Sequence, residues 1–245
     1  PGWENVPLAE ILSERFGVPA FVGNDANLAA LAEHRLGAGR GFSNVIYITV
    51  STGIGGGVIV DGSLLLGARG LAGEIGHIIV KPDGPPCGCG SVGCLEAMAS
   101  GPAIAREALR RIKGGEHSSI PRFVEGPLEN LTAKEVAMAA LEGDPLAREL
   151  FREAGYYLGI GFVSLVHIFN PSRIIVGGGV AKVGKLLLEP AEETVRKLAM
   201  REFLEDFKIV PAALGDEVGL LGAYLLARES LQSSSNSSSQ SSGSS

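Results

Sequence analysis

The spacing of hydrophobic positions changes repeatedly along the chain, and the changes predict its elements. Pro19–Val22 is a short apolar run that reads as a buried strand, and from Ala26 to Leu36 apolar residues recur at helical spacing, so Asp25 is expected at a strand-to-helix junction. Val45–Val50 (VIYITV) is a strong buried strand; the glycine-dense STGIGGG and then Val58–Val60 complete a strand, tight turn, strand reading. Ile78–Val80 predicts another strand, and the loop KPDGPPCGCGSVGC beyond it holds too many Gly and Pro for regular structure. Helical period returns at Leu95–Met98, Pro102–Arg111, Ala133–Leu141 and, longest, Leu146–Ile168, with Gly114–Leu131 as a connecting loop or an insertion. Arg173–Val176 is a strand ending in Gly177, Gly178 and Gly179. A helix over Lys185–Met200 with a break or kink at Pro190, a strand at Phe207–Val210 and a closing helix over Val218–Arg228 follow. Strands alternating with helices predict α/β layers rather than a bundle or a sandwich. Gln232–Ser245, with ten Ser, two Gln, one Asn and one Gly, offers no side chain for a core and is expected to be a disordered tail.

Composition narrows the class. The 245 residues are 45% apolar, enough for one large or two modest domains with an ample core. The 35 glycines follow no every-third-residue rhythm, which excludes collagen. A net charge of -6 gives no long-range attraction for nucleic acid or an anionic membrane, so any phosphate ligand has to be held locally by backbone N–H groups. No run approaches the roughly 18–20 apolar residues that span a bilayer, and the opening PGWENVPLAE lacks the basic start and apolar stretch of a signal peptide. A soluble cytoplasmic protein is expected.

The sharpest chemical feature is His77 followed by Cys87, Cys89 and Cys94. Three cysteines within eight positions argue against a disulfide framework and for a reduced compartment. One imidazole and three thiolates suit tetrahedral Zn²⁺, and Gly88, Gly90 and Gly93 let the chain fold around one ion. The alternative is a flexible loop with incidental thiols, but free cysteines normally sit in apolar cores and not among Gly and Pro. Four ligands leave no open position, so the zinc would be structural. Glu74, three residues before His77 in AGEIGH, and Glu96, two after the last cysteine, can accept from ligand hydroxyls near that loop, although each Glu by itself is more often a solvated surface group. In GNDAN, Asn24 and Asp25 close a strand where open α/β sheets present ligand groups; Asp25 reads equally as helix cap or as catalytic base. The turn Ser51–Gly57 is either a hairpin or a phosphate cradle. It is no dinucleotide fingerprint, because Val58 stands where the third glycine is required, and Gly179–Lys185 fails as a P-loop at Leu186.

Taken in order, GNDAN, STGIGGG, AGEIGH, CGCGSVGCLE and VGGGV closely resemble the ROK (repressor, ORF, kinase) family of sugar kinases and sugar-responsive repressors, from Pro1 to about Arg228, with the glucokinases as the nearest-looking branch. The resemblance implies an α/β actin-like ATPase (ribonuclease H-like) fold of two lobes, the first incomplete here: 1–39 as its remnant, 40–221 as the large lobe with a zinc loop at 77–96, and 222–231 as a helix returning toward the small lobe. It implies Asp25 as the base for a sugar 6-hydroxyl. Asn24, Glu74, His77 and Glu96 would grip the other hydroxyls, and His77, Cys87, Cys89 and Cys94 would hold structural zinc. Thr52, Gly53 and Gly55 would meet the phosphates of ATP, and Gly178 and Gly179 its adenosine, with Mg accompanying ATP and the chain assembling as a dimer or tetramer. The family's DxGGT turn, which holds phosphates and Mg²⁺, occurs nowhere in the sequence, so the chain is expected to be a fragment of a kinase or a variant short of half its phosphate clamp. Two rivals stand beside the kinase: the sugar-sensing part of a repressor, and a catalytically inactive zinc-stapled remnant.

Overall fold

A computed structural model describes residues 6–240, with side chains for 6–232. The expected disordered tail, 232–245, overlaps the end of the last helix as far as Gln240, and 241–245 lie outside the described residues. In chain order the elements are α1 (Leu8–Phe16), α2 (Asp25–Arg35), β1 (Val45–Val50), β2 (Ile54–Val60), β3 (Ser63–Leu64), α3 (Leu95–Ala99), α4 (Gly101–Lys113), α5 (Ala133–Leu141), α6 (Pro145–Phe169), β4 (Arg173–Gly177), α7 (Lys185–Leu198), β5 (Lys208–Pro211) and α8 (Val218–Gln240), with a short 3₁₀ turn at Ile75–His77.

The strands form one sheet in the order β3-β2-β1-β4-β5. β2 runs antiparallel to β1, with Val50 opposite Ile54 across the hairpin, while β4 and β5 run parallel to β1. The two-residue period of β1 decides what each face buries. Ile46, Ile48 and Val50 face a core shared with Phe151, Phe162 and Leu165 of α6 and Leu187 of α7. Val45 and Tyr47 face Ala29 and Ala30 of α2, beside Ile175. Behind α2, Leu31 and Ala32 pack on Leu225 of α8. Helices thus cover both faces of the sheet, as the alternation of strands and helices predicts. α2, which the expected division assigns to the first lobe, lies directly against β1 and β2.

Several expectations are corrected. Pro19–Val22 forms no strand: Gly17 caps α1 in the left-handed region (φ 66°) and the chain folds back, so that the Ala20 N–H donates to Ser13 Oγ at 2.9 Å and no ladder partner is reached. Ile78–Val80 reduces to a single bridge between Ile79 and Cys94, because the cysteine loop claims the neighbouring N–H groups: Val80 and Lys81 both donate to Gly93 O. Gly55, Gly56 and Gly57 lie inside β2 rather than in a turn. α7 runs through Pro190 as one helix. α1 and β3 have no counterpart in the sequence reading.

Candidate active site and metal cluster

The glycine run of β2 is a floor on which three separate segments rest. A Cβ on Gly55 would stand 3.1 Å from Ala26 Cβ, and one on Gly57 2.5 Å from Ala30 Cβ, so the first turns of α2 approach β2 more closely than any side chain would allow. A Cβ on Gly56 would overlap Ile75, and one on Gly76 would overlap the carbonyl of Ile54, which seats the AGEIGH turn on the same strand. The third segment is α3, whose Glu96 accepts the Ile54 N–H through Oε2 at 2.9 Å. The glycines expected to approach a ligand thus mainly let backbone and helices approach one another.

On that floor Asn24, not Asp25, is the N-cap of α2: its side chain accepts from the Asn27 N–H at 3.1 Å. Asp25 is the first helical residue, exposed, with Oδ1 accepting from its neighbour's N–H at 2.8 Å. Glu74 is exposed at the entry to the Ile75–His77 turn, and Glu96 is half-buried. Sequence reasoning missed Asn27. It is 5% exposed, and its Oδ1 has no hydrogen-bond partner among the described residues and faces Gly73, the residue before Glu74.

His77, Cys87, Cys89 and Cys94 bring one ligand atom each within 4.8 Å of one another. His77 Nδ1 stands 3.7 Å from Cys87 Sγ, and Cys89 Sγ 3.7 Å from Cys94 Sγ. Metal–sulfur bonds of about 2.3 Å at tetrahedral angles require a sulfur–sulfur edge of about 3.8 Å, so the donor set fits one zinc-sized ion. Burial, then the adjacent Cys89 and Cys87, push the Cys94 thiol up to about 12. Because Nδ1 points into the cluster, Nε2 is the ring nitrogen left for other partners. Cys94 is also the N-cap residue of α3, so the cluster sits one residue before the helix that carries Glu96.

On the other side of the β1–β2 turn lies a cavity of about 620 Å³, lined by Ser51 and Thr52, by Gly179 and Val180 beyond β4, and by largely apolar residues of α4 and α5 such as Ala105, Ala137 and Met138. Gly178, at φ 92°, precedes the lining residue Gly179 and packs against the end of β1, where a Cβ would overlap the carbonyl of Val50. The Gly101 N–H donates to Ser51 O at 2.8 Å, tying the turn to α4. Asn24, Asp25, Glu74, His77 and Glu96 do not line this cavity; of the residues expected to meet ATP, Thr52 and Gly179 line it and Gly53, Gly55 and Gly178 do not. Its α4 and α5 walls carry no local motif, which is why sequence reasoning missed them.

The family model of the ROK family matches residues 1–230. The chain belongs to the ROK family. Among curated relatives, the glucokinase of Thermotoga maritima is 40% identical over 229 residues, which cover 94% of this chain and 72% of that protein. The DNA-binding transcriptional dual regulator NagC of Escherichia coli (strain K12) is 36% identical over 228 residues, covering 93% of this chain and 54% of its own. Among solved structures, a ROK family glucokinase from Streptomyces griseus in complex with glucose and AMPPNP aligns with a TM-score of 0.84 at 42% identity, over 93% of this chain and 74% of that one. The fold is the α/β actin-like ATPase fold that the motifs imply.

Proposed function

We propose that this ROK chain acts in ATP-dependent phosphorylation of a hexose at its 6-hydroxyl, with glucose the preferred acceptor and N-acetylated hexosamines and fructose behind it. The observation that carries this reading is the shared floor: Gly55 touches the first turn of α2 beside Asp25, while the turn of the same hairpin borders the cavity through Thr52. A base packed against the hairpin whose turn is the phosphate cradle is the arrangement an in-line phosphoryl transfer requires. Asn24 takes the cap, so the Asp25 carboxylate is available for chemistry. In the reaction it accepts the 6-hydroxyl proton as the sugar oxygen bonds to the γ-phosphorus of ATP and the bond to the β–γ bridging oxygen breaks, releasing ADP.

Asn24, Glu74, His77 and Glu96 hold the remaining hydroxyls, with carboxylates accepting and the amide and imidazole donating. The N–H groups of Thr52 and Gly53 meet the phosphates, while Gly55, paired with Thr49 in the hairpin and packed on Ala26, shapes the turn; Gly178 and Gly179 flank the adenosine, and Mg²⁺ arrives with ATP. His77, Cys87, Cys89 and Cys94 would hold zinc, which supplies no step and fixes the loop that leads into α3. The same reading makes the chain a cytoplasmic homo-oligomer, dimer or tetramer. Calorimetric titration with glucose tests the acceptor site: saturable binding at one sugar per chain, weakened in Glu74→Ala, is the expected result. No binding of glucose, fructose or an N-acetylated hexosamine would remove the reading.

The likeness to NagC over 93% of this chain supports a second reading, a sugar-sensing part of a repressor. A sensor has no chemical need of Asp25, so sugar binding without phosphoryl transfer is its signature.

A further inference from the structure

The turn that separates the two halves of the site is held by both. Its Ile54 N–H is bound by Glu96 Oε2 at 2.9 Å, and its Gly53 lies so close to that carboxylate that a Cβ would stand 2.6 Å from Oε2. The Ile54 carbonyl is packed under Gly76 of the AGEIGH turn. At the other end, Gly101 holds Ser51 O at 2.8 Å, and the Ser51 N–H donates to Gly53 O at 2.9 Å, closing the turn on itself. Glu96 Oε1 has no protein partner among the described residues. Thr52, at the tip, lines the cavity.

We propose that Glu96 is a positioning residue that couples the acceptor and nucleotide sites: one carboxylate oxygen takes a sugar hydroxyl while the other fixes the backbone of the phosphate turn. The inference rests on the kinase reading above and extends it from two sites to their energetic linkage. A carboxylate free to rotate leaves the Ile54 N–H only intermittently bound and the 51–54 turn correspondingly mobile. A sugar hydroxyl on Oε1 stops that rotation, so the turn is already ordered when the triphosphate arrives and the nucleotide bears less of the ordering cost. Linkage makes the effect reciprocal: the nucleotide tightens the sugar by the same factor. Glu74 reaches the same sugar from the neighbouring loop, but its side chain makes no hydrogen bond to the turn, so it contributes affinity without coupling.

The test is calorimetric titration of a non-hydrolysable ATP analogue into the zinc-loaded chain, with and without saturating glucose, in the parent protein and in Glu96→Ala, Gly53→Ala and Glu74→Gln. Glucose is expected to tighten the nucleotide about fivefold or more in the parent, within the usual range of coupling between sites. Glu74→Gln should bind glucose more weakly and keep that factor once saturated. Glu96→Ala removes the tie and Gly53→Ala drives the carboxylate off the Ile54 N–H, so in both the factor should fall to about one, whatever happens to either affinity alone. Both ligands bound with no coupling in the parent, or coupling retained in both Glu96→Ala and Gly53→Ala, overturns the inference and leaves the kinase reading in place. Failure of the parent to bind either ligand overturns the kinase reading, and the inference with it.

Discussion

Asp25 and Gly178 carry the sharpest expectations at the scale of single residues. Asp25→Asn keeps the shape and most hydrogen bonds of the side chain, so glucose affinity should stay within a few fold while turnover falls by roughly 10²–10⁴, the usual worth of a positioned base. Steady-state kinetics alongside calorimetry separates the two quantities. Gly178→Ala combines a left-handed backbone with a methyl group driven into Val50 O, so a loss of at least about 2 kcal/mol is expected in denaturant unfolding. The candidate metal cluster was legible in the sequence because metal binding would demand a residue type at each position: His77 and three cysteines among glycines are brought together as that spacing suggests. Asp25 was not, since cap and base ask for the same carboxylate at the same helix end; only the sight of Asn24 bonded to Asn27 assigns the cap. The glycine run of β2 suggests ligand contact from sequence alone, and its tighter constraint, the approach of Ala26, Ala30 and Ile75, comes from segments that sequence distance hides.

Among elements, the cysteine loop and the start of α6 behave most predictably. One zinc per chain is expected by elemental analysis, and its removal by chelation should speed amide exchange across residues 81–96, where bridges and turns rather than a ladder hold the backbone. α6 begins at Asp144, 7% exposed, whose carboxylate accepts the Ala147 N–H at 2.8 Å and is bonded by Ser118 and Ser119 of the connecting loop. Burial pushes this carboxyl up, but the N–H groups of Ala147 and Ser119 and the two serine hydroxyls together hold it below its ordinary value of 3.8. A lowered folded-state value contributes stability that is present above 3.8 and is lost as the pH falls through the lowered one. Asp144→Ala should therefore cost about 1–3 kcal/mol at neutral pH in urea unfolding, and less of a difference from the parent should remain in acid. The long helices were legible because their apolar period is sustained over several turns. Pro19–Val22 misled because a strand is defined by its partner, and here the backbone bonds to α1 instead.

At the scale of the molecule, the order of strands was hidden from the sequence, because β1 joins β4 across the whole of α3 to α6 and nothing local specifies that pairing. That crossover nonetheless makes the site: it sets Gly178 and Gly179 opposite the β1–β2 turn, and so puts an apolar cavity beside a hairpin whose other side carries Asp25, Glu74 and Glu96. No helix among the described residues is long and apolar enough to cross a membrane. The most direct measurement is transfer of label from γ-labelled ATP to the 6-hydroxyl of glucose by the zinc-loaded chain. Residues 1–245 alone, which hold no DxGGT turn, should give little or no product; with a DxGGT-bearing first-lobe segment supplied, labelled glucose 6-phosphate is the predicted product, reduced by about 10²–10⁴ in Asp25→Asn. Glucose bound with no label transferred by the supplemented chain, or label transferred equally well by its Asp25→Asn variant, would contradict the account.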